Sequence, residues 1–319
     1  MLVVAAGLCS HILTQSYLDR DRHYTAAVAQ LPYFNGSDGS ALLKYRGYDF
    51  KVRFAGFEEN PDGETVILLH GFPVTSAMWL PLMTPLEDAG YRVVAPDQRG
   101  YSPLARPQAI DAYKTNELVA DVLALADALQ LSDFHLVGHD WGAVVGWQVA
   151  QSAPHRLLSW SAMSIPHPAA FAAALQHDPD QAKRSRYLRL FALPILPEML
   201  FAWNDFDRLR ATADTLPAEE GSDLLAMYRE AGAASAVLNW YRAMMRDLDD
   251  SLGAQTRVDV PTLFIWGSND PVLSKRSVEE QSRYVAGPYT ELKLEAGHRL
   301  LAGHTEEVQA AILHHLVQH

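Results

Sequence analysis

The sequence predicts an α/β fold: a mostly parallel sheet with helices on both faces, interrupted by an inserted all-helical block. Three observations lead there. Short β-rich runs alternate with segments of helical period from about residue 48 to 160. The alternation stops between about Ser164 and Met245, and it resumes after residue 258. Strand, helix, strand, repeated, is the pattern of a parallel sheet covered on both sides.

The first expected strands are residues 66–69, 92–95 and 134–137, apolar runs of strand length. Leu118, Val122, Leu125, Ala126 and Leu129 share one face of a helix between the second and third. In the middle block strand signals vanish, and prolines at 166, 168, 179, 194, 197 and 217 punctuate several short helices. Strands return at 262–266 and 290–294. A final helix starts near Thr305, read as its N-cap, with Glu306 and Glu307 suiting the positive end of the helix. Residues 1–40 receive no assigned element; Asp19, Arg20, Asp21 and Arg22 read as a solvated helix face.

With 319 residues, 49% hydrophobic and 20% charged, the chain suits one large domain carrying an insertion. Twenty-six basic against 38 acidic residues leave a net charge of −12. No Lys/Arg cluster offsets that balance, which excludes nucleic acid as a partner. Cys9 is the single cysteine, so an intrachain disulfide, a CxxC redox pair and a zinc ribbon are all excluded. A reducing cytoplasm is the expected compartment. The apolar opening, residues 1–9, has no positively charged start and no clean cleavage site, and is read as packing on the body rather than as a signal peptide. No other apolar run approaches the ~18 residues a membrane span needs.

The chemistry centres on Gly138-His139-Asp140-Trp141-Gly142, which follows an apolar strand and precedes a helix-like segment. A sharp strand-to-helix turn thrusts its middle residue up at the carboxyl edge of the sheet, and small residues two before and two after let neighbouring backbone approach. The middle residue is commonly Ser; here it is Asp140. A carboxylate attacks saturated carbon to give an alkyl ester, so hydrolysis divides into two easier steps. On its own, the motif is equally compatible with Asp140 as a helix cap.

Three further features favour the catalytic reading. His70-Gly71-Phe72-Pro73 follows the 66–69 strand, where the amides of Phe72 and Trp141 can form an oxyanion hole. Asp270 lies in the loop after the 262–266 strand, and His298 follows the last strand. Nucleophile, acid, histidine is the chain order of a hydrolytic triad in which His298 activates water and Asp270 orients it. His304 is the nearest rival to His298 but sits just before the final helix. His314, His315 and His319 read as a solvated helix end, so no metal site is assigned.

These motifs, with Asp97-Gln98-Arg99-Gly100-Tyr101, resemble the epoxide hydrolase family of the α/β-hydrolase superfamily over roughly residues 45–319. The resemblance implies an α/β-hydrolase fold with a core at 41–163 and 246–319 and a helical cap at 164–245; residues 1–40 are left as an N-terminal extension. It also implies two cap tyrosines that take up the epoxide oxygen. Ser185-Arg186-Tyr187-Leu188 resembles the surroundings of the first and Asn239-Trp240-Tyr241-Arg242 the second. Three places depart from the family pattern: Tyr101-Ser102-Pro103, Arg299 after the triad histidine, and the arm before residue 41.

The expected activity is cofactor-free hydrolysis of an epoxide to a vicinal diol through an ester on Asp140, with a small-molecule epoxide and water as partners. Phe72, Trp141 and Trp240, with Trp203, are expected to give an apolar substrate pocket. A dehalogenase using the same nucleophile is the alternative, although Phe72 offers no side-chain donor for a halide. A silent hydrolase-fold binder is a further alternative, weakened because no triad residue is missing. No membrane partner is expected, and a homodimer is admitted.

Overall fold

The computed structural model describes residues 23–204, 206–246 and 257–319. The readings placed on residues 1–9 and on Asp19 to Arg22 lie outside the described residues. α1 (His23–Val28) precedes a hairpin of β1 (Gly39–Tyr45) and β2 (Tyr48–Ala55). Arg46 and Gly47, both with positive φ (48° and 81°), form its turn, the backbone hand that matches strand twist. β3 (Thr65–Leu69), α2 (Leu80–Asp88), β4 (Arg92–Pro96) and α3 (Thr115–Ala128) follow, then β5 (Phe134–His139), α4 (Trp141–Ser152) and β6 (Leu157–Met163).

Seven helices come next, and no strand is described among them: α5 (Pro168–His177), α6 (Pro179–Arg184), α7 (Arg186–Phe191), α8 (Leu196–Ala202), α9 (Asp207–Ala213), α10 (Ala218–Arg229) and α11 (Ala233–Arg246). Pro168 and Pro179 open their helices, Pro197 sits in the first turn of α8, and Pro217 caps α10. Proline suits these positions because the first helical N–H groups have no internal partner. The sheet resumes with β7 (Thr262–Gly267), α12 (Lys275–Glu279), β8 (Tyr289–Leu294) and α13 (Thr305–Val317).

The eight strands form one sheet in the order β1-β2-β4-β3-β5-β6-β7-β8. β1 and β2 are antiparallel to their neighbours, and every pair from β4 to β8 is parallel. Alternate residues divide between two cores. Ile67, Leu69 and Leu136 join one with Leu118, Val122 and Leu125 of α3; Val66, Leu68 and Val137 join the other with Val308, Ile312 and Leu316 of α13. That division is the two-residue strand period acting on a sheet covered on both faces.

Three local features differ from the sequence expectation. The β1–β2 hairpin, which begins at Gly39, and β6 were not among the expected strands. β6 carries Ser159 and Ser161, which read as polar yet are fully buried; Ser159 meets its need through His135 Nδ1 at 2.9 Å. Thr305 opens the last helix but does not cap it. His304 holds the N-cap position, and the Thr305 hydroxyl donates to the Leu301 carbonyl.

Candidate active site

The site grows from one turn. β5 enters it fully buried and α4 leaves it, with Asp140 between them at φ 53°, ψ −118°. A side-chain-bearing residue in that region is strained and persists only where its surroundings impose it. The flanking glycines permit the turn: a Cβ on Gly138 would strike the Gly142 carbonyl, and one on Gly142 would strike the Leu69 carbonyl. Gly71 plays the same part from the neighbouring loop, since a Cβ there would collide with the Asp140 side chain.

Asp140 is held from both sides. Its Oδ1 accepts the Phe72 N–H at 2.8 Å. Its Oδ2 lies 3.2 Å from His298 Nε2, and His298 Nδ1 lies 2.7 Å from Asp270 Oδ2. Asp270 accepts the Val272 N–H with its other oxygen, at 2.7 Å. Phe72, Asp140, Asp270 and His298 thus come from the loops after β3, β5, β7 and β8, at the carboxyl edge of the sheet where such folds bind ligands. The Trp141 amide opens α4, where N–H groups lack intrahelical partners. A link absent from the sequence reading also appears: Arg184 of α6 donates to the Asp270 carbonyl at 2.8 Å.

The charges follow from these contacts. Burial disfavours an imidazolium at His298, but hydrogen bonds to Asp140 and Asp270 outweigh it and raise the group to about 10. Burial likewise opposes the Asp140 carboxylate, yet His298 and the Phe72 N–H hold it below the usual range. The resting pair is therefore carboxylate and imidazolium. His139 is lowered to about 4 by burial and by the neighbouring His298 charge, and its Nε2 lies 2.9 Å from the His298 carbonyl.

A cavity of about 50 Å³ opens on Asp140. Trp141, Tyr187 of α7 and Tyr241 of α11 line it, with an apolar wall that includes Val144, Ile165, Phe171, Leu188 and Met244. Burial and the Asp140 charge raise both phenols above their ordinary value, so each stays protonated and able to donate. Phe72 stacks edge-on against Tyr241 at 5.4 Å and, with His139 and Arg299, lines a second cavity of about 70 Å³. The sequence reading missed the aliphatic wall, whose residues carry no local signal beyond being apolar.

Several expectations are corrected. Trp240 is not among the residues lining the cavity around Asp140. It stands behind Trp141 at 5.4 Å, with its indole N–H on the Arg99 carbonyl. Trp203 is 74% exposed and lines neither cavity beside Asp140. His315 is buried rather than solvated, and burial with nearby His319 lowers it to about 4. His304 faces Glu307 at 3.2 Å. Among the described residues, Asp38, Glu59 and Glu87 lie close enough to share a cation, and none of them lines the cavity around Asp140.

A family model for the alpha/beta hydrolase fold matches residues 64–302. Epoxide hydrolase A of Mycobacterium tuberculosis is 34% identical over 324 aligned residues, covering 88% of this chain and 98% of that protein. The AB hydrolase superfamily protein YfhM of Bacillus subtilis is 36% identical, covering 81% of this chain and 90% of its own. Among solved structures, epoxide hydrolase A of Mycobacterium thermoresistibile superposes with a TM-score of 0.73 at 28% identity, over 88% of this chain and 98% of that one.

Proposed function

The chain belongs to the epoxide hydrolase family of α/β hydrolases, and from that premise we propose that it hydrolyses an epoxide to a vicinal diol through an alkyl ester on Asp140. The observation that carries this reading is one cavity lined by a buried carboxylate and two protonated phenols. A carboxylate is a competent nucleophile at saturated carbon, and phenols suit an oxygen leaving group.

In the first step an Asp140 oxygen bonds to a ring carbon as the C–O bond of the epoxide breaks. The departing alkoxide takes a proton from Tyr187 or Tyr241. Ester formation removes the Asp140 charge that favoured the imidazolium, so His298 releases its proton and the tyrosinate is reprotonated. Neutral His298, oriented by Asp270, then takes a proton from water while the hydroxide adds to the ester carbonyl carbon. The Phe72 and Trp141 amides hold the oxyanion. On collapse the ester C–O bond breaks and the carboxyl proton passes to the leaving alkoxide. The diol departs, leaving carboxylate and imidazolium as they began.

A dehalogenase would require N–H donors for a halide, and the Phe72 side chain has none. The test combines products with trapping. Wild type is expected to give diol from racemic epoxides without bromide from short bromoalkanes, and Asp140→Ala to lose turnover. His298→Gln is expected to accumulate a mass increment equal to the epoxide on the intact protein. Full turnover by Asp140→Ala, or no adduct with a true substrate, overturns the reading.

A further inference from the structure

Seven large hydrophobic side chains are exposed among the described residues, and five of them lie in one eleven-residue stretch: Leu193, Ile195, Leu196, Met199 and Trp203. Leu196, Met199 and Trp203 follow helical spacing on the outer face of α8 and its C-cap. Such a concentration on a monomer marks an interaction surface. The backbone presents it at a cost. Ile195 sits at φ 67° while 55% exposed, an unfavourable conformation for a β-branched residue that gains little burial in return. The opposite side of α8 carries buried Phe201, which packs against Phe72 and Phe191 at 5.6 and 5.4 Å.

Charge identifies the occupant. The chain as a whole carries −12, but the segment leading into the apolar stretch, residues 183–189, holds four basic side chains and no acidic one. Lys183, Arg186 and Arg189 are exposed beside the apolar stretch, and Glu198 is paired with Arg242 at 2.7 Å. A symmetric contact with a second copy would set this positive surface against itself. An apolar ridge with a basic rim instead matches an anionic bilayer interface. No helix among the described residues is long and apolar enough to cross a membrane. We propose that α8 and the segment before it dock peripherally on anionic lipid, inserting Ile195, Leu196, Met199 and Trp203 while Arg186 and Arg189 meet the headgroups.

Flotation with vesicles tests this directly. Full-length protein is expected to float with mixed phosphatidylglycerol–phosphatidylcholine vesicles, to float poorly with phosphatidylcholine alone, and to be released by salt. Leu196→Asp combined with Trp203→Ser should weaken partitioning by about tenfold or more, with circular dichroism and melting temperature unchanged. Arg186→Glu with Arg189→Glu should weaken it as well, through charge alone. Failure of the wild type to float, equal partitioning of the apolar variant, or indifference to lipid charge overturns the proposal. So does a dimer, seen by sedimentation, that the apolar substitutions convert to monomer.

Discussion

At the scale of single residues the central quantity is the proton on His298. Two carboxylates share one imidazole, through Nδ1 at 2.7 Å and Nε2 at 3.2 Å, and together they hold it near 10 against the penalty of burial. A histidine so charged is no base until one carboxylate loses its charge, as esterification of Asp140 would cause. Asp140→Asn imitates that state. In the variant the His298 pKa, read from imidazole NMR shifts, should fall from about 10 toward the ordinary value near 6.5. An unchanged value would mean that Asp270 alone keeps the proton in place. The phenols shift in the same direction: burial, and then the same Asp140 charge that favours an imidazolium, raise Tyr187 and Tyr241 and keep them protonated.

At the scale of elements, α1 and α10 are tied to the sheet and its loops by buried polar contacts. Glu230, directly after α10, accepts from the Thr25 N–H and hydroxyl and pairs with Arg106 at 2.8 Å. Lys51 of β2 reaches the Tyr24 hydroxyl at 3.1 Å, and Arg53 pairs with Glu220 of α10. Replacing Glu230 with Ala leaves the Arg106 charge without its counterion in a nearly dry setting, a change that costs about 3–5 kcal/mol in comparable buried pairs. A clearly lowered melting temperature is expected. A melting curve superimposable on wild type would show the contact to be dispensable. These ties also explain why β2 reads poorly as a strand: Lys51 and Arg53 look like solvent positions, but helices cover them and the charges are paired. By contrast, the prolines that open or cap the helices between β6 and β7 act locally and are legible from position alone.

At the scale of the whole molecule, the site couples stability to pH from both ends. His298 is raised from 6.5 to about 10, so its contribution is fully present below about pH 6.5 and is lost as pH rises through about 10. Asp140 and buried Asp97 are both lowered. Burial opposes each carboxylate, but His298 offsets it at Asp140, while Lys51 and Arg53 do so at Asp97. Their contributions are present above the ordinary carboxylate range and are lost as pH falls through the depressed values. The melting temperature of wild type relative to His298→Gln should therefore narrow steadily between about pH 6.5 and 10. A constant difference over that interval would show that His298 does not change its proton affinity on folding.

What the sequence by itself determined is what local spacing can encode. The strand-to-helix turn at Asp140 needs glycines two residues on either side, because backbone from both neighbours enters the space a Cβ would fill. Asp270 and His298 could be named because each lies in a loop just after an expected strand, in the chain order nucleophile, acid, histidine. Only the tertiary structure decided which side chains meet across those loops. It alone brought Gly71 against Asp140, set Trp240 behind Trp141 and on the Arg99 carbonyl, turned Trp203 outward, and buried His315. Those outcomes depend on the packing of segments tens to more than a hundred residues apart. The energy of each side chain is set by whatever surface arrives beside it, and local spacing carries no record of that neighbour.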